Sequence, residues 1–396
     1  MNKIKILHII TRLDQGGSAE NTLYSVCELK KKGYDVTLVS GRSFDPTGRI
    51  NAFIKSNGIQ VTVIPEIVRQ INPWKDCIAF FKIGKFIRKN KFTIVHTHAS
   101  KAGVLGRWAA WLTQADIIIH TPHGHVFYGY YGRYMSKLFI WIEKISAYIT
   151  NRIIGLTDGE IADYITYNIA KPSKFTPIHS GVELDTYSKA DIDVEKTRSS
   201  LGLQKNEICV GTITRLEPVK GNRYLIEAWK YVLDKFPHAK LIIIGDGSEK
   251  ESLHNLARRL HIFDSIIFTG MRHDLPQLLS ILEFFVLPSI NEGMGKVLIQ
   301  AAAMEKPSIG SRVCGIPDVI QEGGTGLLVH PADVPALADA ICALLADPER
   351  TKYLGRNAKK WVTDTVDGYG RFSKERMISK LDLIYKEALT NLFQSI

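Results

Sequence analysis

The sequence predicts two doubly wound α/β domains, and three observations support this prediction. The chain has 396 residues, which is more than one hydrophobic core of ordinary size organises. Short apolar runs rich in β-branched residues alternate with longer amphipathic stretches, and this pattern occurs in two series. Strands separated by helix-length segments need crossover connections, so each series predicts a parallel sheet covered by helices.

The strands of the two series are predicted from these apolar runs. Six lie in the first half, at residues 4–10, 36–40, 93–97, 117–120, 152–156 and 176–179. Five lie in the second half, at residues 208–214, 241–245, 266–269, 284–288 and 308–310.

The helices are predicted from amphipathic stretches between and after the strands. In the first half the clearest helical patterns cover residues 19–32, 102–112 and 134–149. Three amphipathic stretches are expected after Pro348, the last over residues 372–393. A polar stretch at residues 185–200 separates the two series. The predicted domains are therefore residues 1–185 and 186–370, and a C-terminal helix within 371–396 is expected to pack back on the first domain.

Composition excludes several classes of protein. Apolar residues make up 45% of the chain and charged residues 23%, which is typical of a globular protein and not of a disordered or collagen-like one. No apolar run approaches the roughly 18 residues that would span a bilayer. The first apolar run contains Lys5 and His8, so it predicts a strand instead of a signal peptide. Five cysteines without a Cys-x-x-Cys pair favour a reduced, cytoplasmic compartment.

The net charge of +11 is concentrated in the first half of the chain. Residues 1–185 hold 24 basic and 14 acidic side chains, whereas residues 186–396 hold 27 and 26. Residues 80–152 alone hold 11 basic and 2 acidic side chains. This asymmetry indicates an anionic partner for the first domain, namely nucleic acid, a membrane surface or a phosphorylated substrate. The alternative is a lysine-rich surface that is merely solvated.

Two glycine-containing turns are candidates for binding a phosphate. Gly16 and Gly17 follow the first predicted strand and precede a helix, where backbone N–H groups can approach an anion. A tight turn without a ligand is the alternative. Gly245-Asp246-Gly247 resembles part of a dinucleotide-binding fingerprint but lacks its third glycine.

Two basic residues follow the first predicted strand of the second domain. Arg215 leaves the strand's carboxyl end, and Lys220 stands just before the next helix. A guanidinium fork together with an ammonium group suits a diphosphate, which needs both orientation and neutralisation. The alternative is a surface ion pair between Arg215 and Glu217.

Residues 288–301 combine a strand end, a glycine-rich turn and a helix predicted to start near Gly295. The turn can hold phosphate, and Glu292 beside it can accept hydrogen bonds from sugar hydroxyls. Gln300 lies eight positions later, which corresponds to roughly 12 Å of axial rise where the chain is helical. The spacing therefore predicts contacts at two points of one extended ligand. A capping glutamate and a buried glutamine are the alternative.

In this order, Gly16-Gly17, the Arg215/Lys220 pair and the Glu292–Gln300 segment resemble the retaining glycosyltransferases of family 4. The resemblance covers nearly the whole chain and implies the GT-B fold, in which two Rossmann-like domains face each other across a cleft. It implies a nucleotide sugar, expected to be UDP-linked, held mainly by the second domain, and an acceptor held mainly by the first. No cofactor and no metal ion are implied.

The resemblance also implies roles for individual residues. The donor-binding set is Gly16, Gly17, Arg215, Lys220, Arg272, Glu292, Gly293, Met294, Gly295 and Gln300. Among them, Arg215 and Lys220 bind the diphosphate, Glu292 contacts the donor sugar, and the loop at 269–272 meets the base. The family usually has glutamate where this chain has Gln300, so the contact with the ribose loses a charge. The catalytic set is Glu292, His123, Arg215 and Lys220, in a front-face retaining step where a donor phosphate oxygen takes the acceptor proton.

Two histidine pairs and one aspartate pair raise the question of a metal site. His96 with His98, and His123 with His125, have the i, i+2 spacing that allows zinc chelation, which is the case for a metal-dependent hydrolase. No carboxylate-rich loop completes such a site, and the resemblance explains His123 as a residue that positions or polarises a hydroxyl. Asp191-Ile192-Asp193 is interpreted as solvated linker.

Two segments of the first domain interleave aromatic and basic side chains, at residues 80–91 and 127–142. This pattern suits the headgroup region of an anionic membrane. Residues 96–103 resemble those of bacterial family members that act on polyprenyl-diphosphate-linked sugars, which makes Ser100 and Lys101 the predicted acceptor-binding residues. The expectation is a hexosyltransferase of surface polysaccharide or exopolysaccharide biosynthesis, peripheral on the inner face of the cell membrane.

Two further functions stay open as alternatives. A UDP-sugar 2-epimerase shares the fold and the nucleotide site, and differs in converting the donor sugar without an acceptor. A nucleic-acid-binding protein would use the basic domain, but the sequence shows no recognition helix and no aromatic ribonucleoprotein motif.

Overall fold

Two parallel sheets organise the chain in a computed structural model that describes residues 3–14, 16–43, 48–188 and 191–394. Gln15 in the predicted glycine turn and residues 189–190 in the predicted polar stretch lie outside the described residues. The chain divides into two compact units. Unit 1 runs up to Gly181 and resumes at Lys374, and unit 2 runs from Val182 to Ser373.

The strands, in chain order, are β1 Lys5–Ile10, β2 Asp35–Ser40, β3 Val61–Val63, β4 Ile94–His98, β5 Ile117–Thr121, β6 Arg152–Gly155, β7 Phe175–Pro177, β8 Ile208–Ile213, β9 Ala239–Ile244, β10 Ile266–Gly270, β11 Phe284–Leu287, β12 Ser308–Ser311, β13 Gly326–Val329, β14 Thr365–Val366 and β15 Tyr369–Gly370.

The helices, in chain order, are α1 Gly17–Lys31, α2 Arg49–Ser56, α3 Pro73–Asn90, α4 Ser100–Leu112, α5 Arg133–Tyr148, α6 Asp158–Thr166, α7 Asp185–Ser188, α8 Val194–Ser200, α9 Asn222–Lys235, α10 Lys250–Arg259, α11 Leu275–Ser280, α12 Lys296–Ala303, α13 Val334–Ala346, α14 Pro348–Thr363 and α15 Lys374–Gln394. Short 3₁₀ turns occupy Pro172–Lys174, Pro218–Lys220 and Phe263–Ser265.

Unit 1 is built on a seven-stranded parallel sheet in the order β3-β2-β1-β4-β5-β6-β7. The order reverses between β1 and β4, where doubly wound sheets bind their ligands. One face packs on α1 and α15, with Tyr385 of α15 fully buried in that core. The other face packs on α3 and α4. Because α15 contributes a row of core side chains, the last helix of the chain is part of unit 1.

Unit 2 is built on a six-stranded parallel sheet in the order β10-β9-β8-β11-β12-β13. Its order reverses between β8 and β11, so the ends of these two strands are the place where a ligand is expected. The core surrounds the fully buried Trp229 of α9 and includes residues of α10, α13 and α14.

All eleven predicted strands are present, with ends that differ from the prediction by at most two residues. The prediction missed β3, β13 and the antiparallel pair β14–β15, which are short. The expectation of three amphipathic stretches after Pro348 was wrong, because α14 and α15 are the only helices described there and a short hairpin separates them. The polar stretch at 185–200 contains α7 and α8, and Asp193 caps α8 by accepting a 2.9 Å hydrogen bond from the Lys196 N–H.

Candidate functional site

A lysine and a glutamate meet where β8 and β11 end in unit 2. Lys220 Nζ donates to Glu292 Oε2 over 2.6 Å, and Ser289 Oγ donates to the same oxygen over 3.4 Å. The two charged side chains are only 13% and 17% exposed, so water screens the pair weakly. Two of the residues predicted to bind the donor are therefore in direct contact with each other.

A close backbone approach holds the two segments of this pair together. The Ile290 N–H donates to Val219 O over 2.8 Å, which joins the loop after β11 to the turn after β8. Gly221 lies between that turn and α9 with φ of +68°, and a Cβ there would come within 1.9 Å of Pro288 O. Only glycine allows both the backbone angle and the approach. Lys220 is thereby fixed next to the loop that carries Glu292.

The glycine-rich turn after Glu292 ends in a left-handed residue at the start of α12. Gly295 has φ of +72° and precedes Lys296, the first helical residue, while Met294 is buried. Because residues 292–295 are not helical, the axial spacing predicted between Glu292 and Gln300 does not apply to the whole interval. Gln300 is buried, and its Oε1 atom accepts no hydrogen bond from the described residues.

The two predicted donor-binding arginines are held by their own neighbours. Arg215 Nη1 donates to Glu217 Oε1 over 3.0 Å with its side chain about half exposed, which is the surface ion pair left open as the alternative. Arg272 binds Asp274 through two hydrogen bonds of 2.8 and 2.5 Å, and this carboxylate raises the pKa of the guanidinium. In the described chain neither arginine contacts Lys220 or Glu292.

The predicted binding residues of unit 1 lie at two helix starts. Gly16 precedes α1, and Gly17 is the first residue of that helix. Ser100 begins α4, and the next residue, Lys101, donates to both carboxylate oxygens of Asp76 over 2.6 Å and to Gln70 O over 2.8 Å. An anion that reached Lys101 would compete with Asp76.

His123 lies in a loop that a buried glutamate shapes. Its φ of +57° is unusual for a residue with a side chain, and Gly124 follows with φ of +94°. Glu160 accepts hydrogen bonds from the N–H groups of Gly124 and Leu156 over 2.8 and 2.7 Å. Burial raises the pKa of Glu160, because the ionised form loses solvation. The loop is thus positioned by a carboxylate that no sequence motif singles out.

Sequence reasoning also missed a connected group of buried histidines next to His123. His8 of β1 lies beside His96 and His98 of β4, and ring nitrogens of these three lie within 4.8 Å of one another. Burial lowers the pKa of His8 to about 3 and that of the other two well below the usual range, so all three are neutral at pH 7. The available signal was the polar His8 between the apolar residues Leu7 and Ile9.

The other residues of the predicted histidine pairs have different surroundings. His125 Nε2 pairs with Asp163 Oδ2 over 2.8 Å, and the hydroxyl of Tyr128 donates to the same oxygen over 2.8 Å. His125 is buried and stacks on the ring of Phe127. Its contacts account for it as a structural residue of this loop.

Two family models match the chain, one in each half. Residues 15–186 match the family described as Glycosyltransferase Family 4. Residues 193–361 match the family described as Glycosyl transferases group 1. Together the two matches span most of the chain and meet near residue 190, in the polar stretch between the two series of strands.

Curated relatives are similar over nearly the whole length. The chain is 27% identical over 393 residues to the UDP-Gal:alpha-D-GlcNAc-diphosphoundecaprenol alpha-1,3-galactosyltransferase of Escherichia coli, covering 98% of each chain. It is also 27% identical to the capsular polysaccharide biosynthesis glycosyltransferase CapM of Staphylococcus aureus, covering 91% of this chain and 92% of the relative.

Among solved structures, Alr3699/HepE of Anabaena in complex with UDP and glucose superposes with a TM-score of 0.79. The two chains share 19% identity, and the match covers 97% of this chain and 100% of the other. The expected GT-B architecture of two Rossmann-like domains is confirmed by this similarity and by the two parallel sheets.

Proposed function

We propose that this chain, which belongs to the family 4 glycosyltransferases, transfers a hexose or N-acetylhexosamine from a UDP-linked sugar to a polyprenyl-diphosphate-linked glycan. The observation that carries the proposal is the contact between Lys220 and Glu292 at the switch point of the unit 2 sheet. A cation that neutralises phosphate stands directly beside a carboxylate that accepts from sugar hydroxyls. A sugar joined to a diphosphate carries a phosphate group for the cation and, next to it, hydroxyl groups for the carboxylate.

The donor half of the reaction is assigned to unit 2. The Lys220 ammonium group binds the diphosphate and stabilises the charge that develops as the sugar departs. Backbone N–H groups of Gly293 and Gly295 supply further donors, and Glu292 orients the sugar through its hydroxyls. Arg215 exchanges its ion pair with Glu217 for the diphosphate, at a small cost in free energy because the guanidinium side chain is about half exposed.

Retention and independence of metal ions are parts of the same proposal. Fixed cations and backbone amides stabilise the leaving diphosphate in the role that a divalent metal ion plays in other enzymes. A phosphate oxygen of the donor takes the proton of the acceptor hydroxyl while the hydroxyl oxygen of the acceptor bonds to the anomeric carbon. The C–O bond to the diphosphate breaks on the same face, so the configuration is kept.

The identity of donor and acceptor rests on relatives. The Escherichia coli relative is named for UDP-galactose and a diphosphoundecaprenol-linked acceptor, and the Staphylococcus aureus relative for capsular polysaccharide biosynthesis. The Anabaena structure holds UDP and glucose. We expect the acceptor diphosphate to bind near Ser100 and Lys101, with Lys101 released from Asp76.

An anionic membrane surface is the proposed docking partner of unit 1, and α5 supports this most strongly. Tyr134, Leu138, Trp141 and Tyr148 recur along one side of that helix and are all exposed, Tyr134 to 88%. Basic side chains on the same helix, such as Lys144, are exposed as well. Aromatic rings and lysines on one helix face match the boundary between headgroups and acyl chains.

Helices α3 and α4 extend this aromatic and basic surface. Trp74, Ile78 and Phe81 of α3 are exposed at helical spacing, and the exposed Lys85 and Arg88 continue that side. At the end of α4, exposed Trp111 and Leu112 add apolar area. Since α4 packs against both α3 and α5, the three helices belong to one face of unit 1.

Membrane docking in this proposal is peripheral. In the described part of the chain, no helix combines the length and the apolarity needed to cross a bilayer. Each Lys or Arg near an anionic surface adds about 1 kcal/mol of binding free energy, so a few basic residues on this face suffice for reversible docking.

A thermal-shift titration with nucleotide sugars tests the donor site. UDP-sugars are expected to raise the melting temperature of the wild type, and Lys220→Ala is expected to lose most of that shift. Lys230→Ala, which removes an exposed lysine from α9, serves as the matched control and keeps the shift. Equal shifts in Lys220→Ala and the wild type would remove Lys220 from the donor site.

A further inference from the structure

Four histidines, a tyrosine and a threonine of unit 1 form one continuous chain of hydrogen bonds. It starts at His123, whose Nε2 atom lies 3.0 Å from Nδ1 of His98. Nε2 of His98 lies 2.8 Å from Nδ1 of His8, which brings the chain from β4 to β1. Every link so far joins the Nε2 atom of one ring to the Nδ1 atom of another.

The chain continues through the C-terminal helix. Nε2 of His8 lies 3.3 Å from the hydroxyl of Tyr385, and the same hydroxyl lies 2.6 Å from Nδ1 of His96. Nε2 of His96 lies 2.8 Å from Oγ1 of Thr121 at the end of β5. Because Tyr385 is fully buried, its hydroxyl is shielded from water and pairs with His8 and His96.

Hydrogen-bond donation can run along this series of side chains in only two directions. A neutral imidazole carries one N–H, so a ring that donates at one nitrogen accepts at the other. In one direction every histidine holds its proton on Nε2, and the Tyr385 hydroxyl donates to His96. In the other direction every histidine holds its proton on Nδ1, and the same hydroxyl donates to His8. No mixed arrangement satisfies all links and also gives the Tyr385 proton an acceptor within the chain.

We propose that this hydrogen-bond chain, with Tyr385 as its central positioning residue, fixes the tautomer of His123. It thereby decides whether the other ring nitrogen of His123, Nδ1, accepts or donates a hydrogen bond. The inference rests on the proposed function, in which His123 positions or polarises a hydroxyl. With the proton on Nε2, the Nδ1 atom of His123 is a hydrogen-bond acceptor, and with the proton on Nδ1 it is a donor. Because this Nδ1 atom is buried, a wrong tautomer changes the partner that holds the ring and thereby shifts the ring that positions the hydroxyl.

The positions of the buried histidines in β1 and β4 support a role for them beyond packing. His8 and His96 are direct neighbours in the register of β1 and β4, and His98 lies opposite Ile10. Three imidazoles in adjacent parallel strands are costly to bury unless each polar atom has a partner. The chain provides those partners and leads to the loop that holds His123, whereas aliphatic residues would fill the same space without polar atoms.

Nitrogen-15 NMR of histidine-labelled full-length protein tests the chain without any substrate. The wild type is expected to show His8, His96, His98 and His123 protonated on the same ring nitrogen. Tyr385→Phe, which removes only the hydroxyl, is expected to let the two tautomers coexist at His8, His98 and His123. Different tautomers among the four histidines of the wild type would contradict the proposed hydrogen-bond chain. A failure of sugar transfer would leave this spectroscopic result intact.

Kinetics of the same variant test the positioning role. Tyr385→Phe is expected to lower kcat for sugar transfer about tenfold, the effect of one weakened hydrogen bond in the reacting geometry, with KM for the nucleotide sugar unchanged. Tyr34→Phe is the matched control, since the Tyr34 hydroxyl donates to Asp382 and its ring contacts Tyr385. It is expected to keep the uniform tautomers and the wild-type kcat. A wild-type kcat in Tyr385→Phe would overturn the positioning role.

A second variant keeps the test open if Tyr385→Phe does not fold. Thr121→Val removes the last partner of His96 and is expected to mix the tautomers and lower kcat in the same way. Thr121→Ser restores the hydroxyl and is expected to restore both. Equal behaviour of the valine and serine variants would contradict the proposal.

Discussion

Glu292 is the residue on which the donor half of the proposed reaction depends most. Its carboxylate accepts from Lys220 over 2.6 Å and is largely buried, so a neutral replacement leaves the ammonium group without its charged partner. Glu292→Gln is expected to lower the transfer rate about 10- to 100-fold, the effect of one charge-assisted hydrogen bond. Initial rates with a UDP-sugar measure this. Glu251→Gln, on the exposed side of α10, is the control, and equal rates in both variants would contradict the assignment.

Glu160 is predicted to govern stability instead of donor binding. Glu160→Gln keeps the shape but presents an amide NH₂ to one of the two backbone donors, at a cost of about 1–3 kcal/mol. Urea titrations measure the loss in free energy of unfolding. Burial raises the pKa of this carboxyl in the folded state, so the wild type loses stability as pH rises from the ordinary carboxyl range through the raised value.

The pH dependence of the difference checks the cause of the Glu160 effect. The advantage of the wild type over Glu160→Gln is expected to grow as pH falls toward the ordinary carboxyl range. A difference that shrinks on acidification would mean that Glu160 is stabilised as a carboxylate in the fold.

Single residues differ in how far the sequence reveals them. Lys220 and Glu292 lie 72 positions apart, yet each follows a predicted strand, so their meeting could be predicted from the rule that parallel strands end at one edge. Arg215 follows the same rule but folds back on Glu217, because a flexible exposed side chain takes the nearest carboxylate. Glu160 could not be selected, since its role depends on the backbone of a distant loop.

The buried histidines of β1 and β4 are predicted to make the stability of unit 1 sensitive to acid. Burial lowers the pKa of His8 to about 3, so between about pH 6.5 and pH 3 the folded chain keeps this ring neutral while the unfolded chain protonates it, and stability falls as the pH falls through that range. One proton taken up on unfolding gives a slope of about 1.4 kcal/mol per pH unit. Free energies of unfolding measured over this range should therefore fall less steeply in His8→Gln. An unchanged slope would show that His8 does not titrate there.

Most helices and strands could be predicted from the alternation of apolar and amphipathic segments. The strands of a parallel sheet are buried on both faces, so they appear in the sequence as continuous apolar runs. Three of the missed strands, β3, β14 and β15, lack that signature. β3 has three residues, none of them buried, and β14 and β15 have two residues each. The link between His8 and His98 was also hidden, because it depends on the register of two strands that are far apart in sequence.

The C-terminal helix is predicted to be essential for the folding of unit 1. Met377, Leu381 and Tyr385 of α15 are among the residues that complete its core. A chain ending at Ser373 is expected to expose that core, and limited proteolysis should then cut within residues 16–181 while a fragment of unit 2 survives. A chain ending at Thr390 is the control. Protease-resistant strands of unit 1 in the shorter chain would contradict this view.

Unit 1 is predicted to dock on anionic membranes through its exposed aromatic and basic side chains. The wild type is expected to sediment with vesicles of anionic lipid in preference to neutral ones, and the double variant Tyr134→Ser, Trp141→Ser is expected to lose most of this binding. Tyr231→Ser removes an aromatic side chain of unit 2 with 58% exposure and is the control. Equal binding of the double variant and the wild type would place the membrane contact elsewhere.

A transfer assay tests the proposed reaction itself. The full-length protein is incubated with a panel of UDP-sugars, with and without a polyprenyl-diphosphate-linked N-acetylglucosamine, and products are followed by mass spectrometry. We expect free UDP and a lipid product heavier by one sugar residue only when the acceptor is present, with the anomeric configuration retained. Conversion of the donor to its 2-epimer without an acceptor, or no product from any member of the panel, would contradict the proposed transfer.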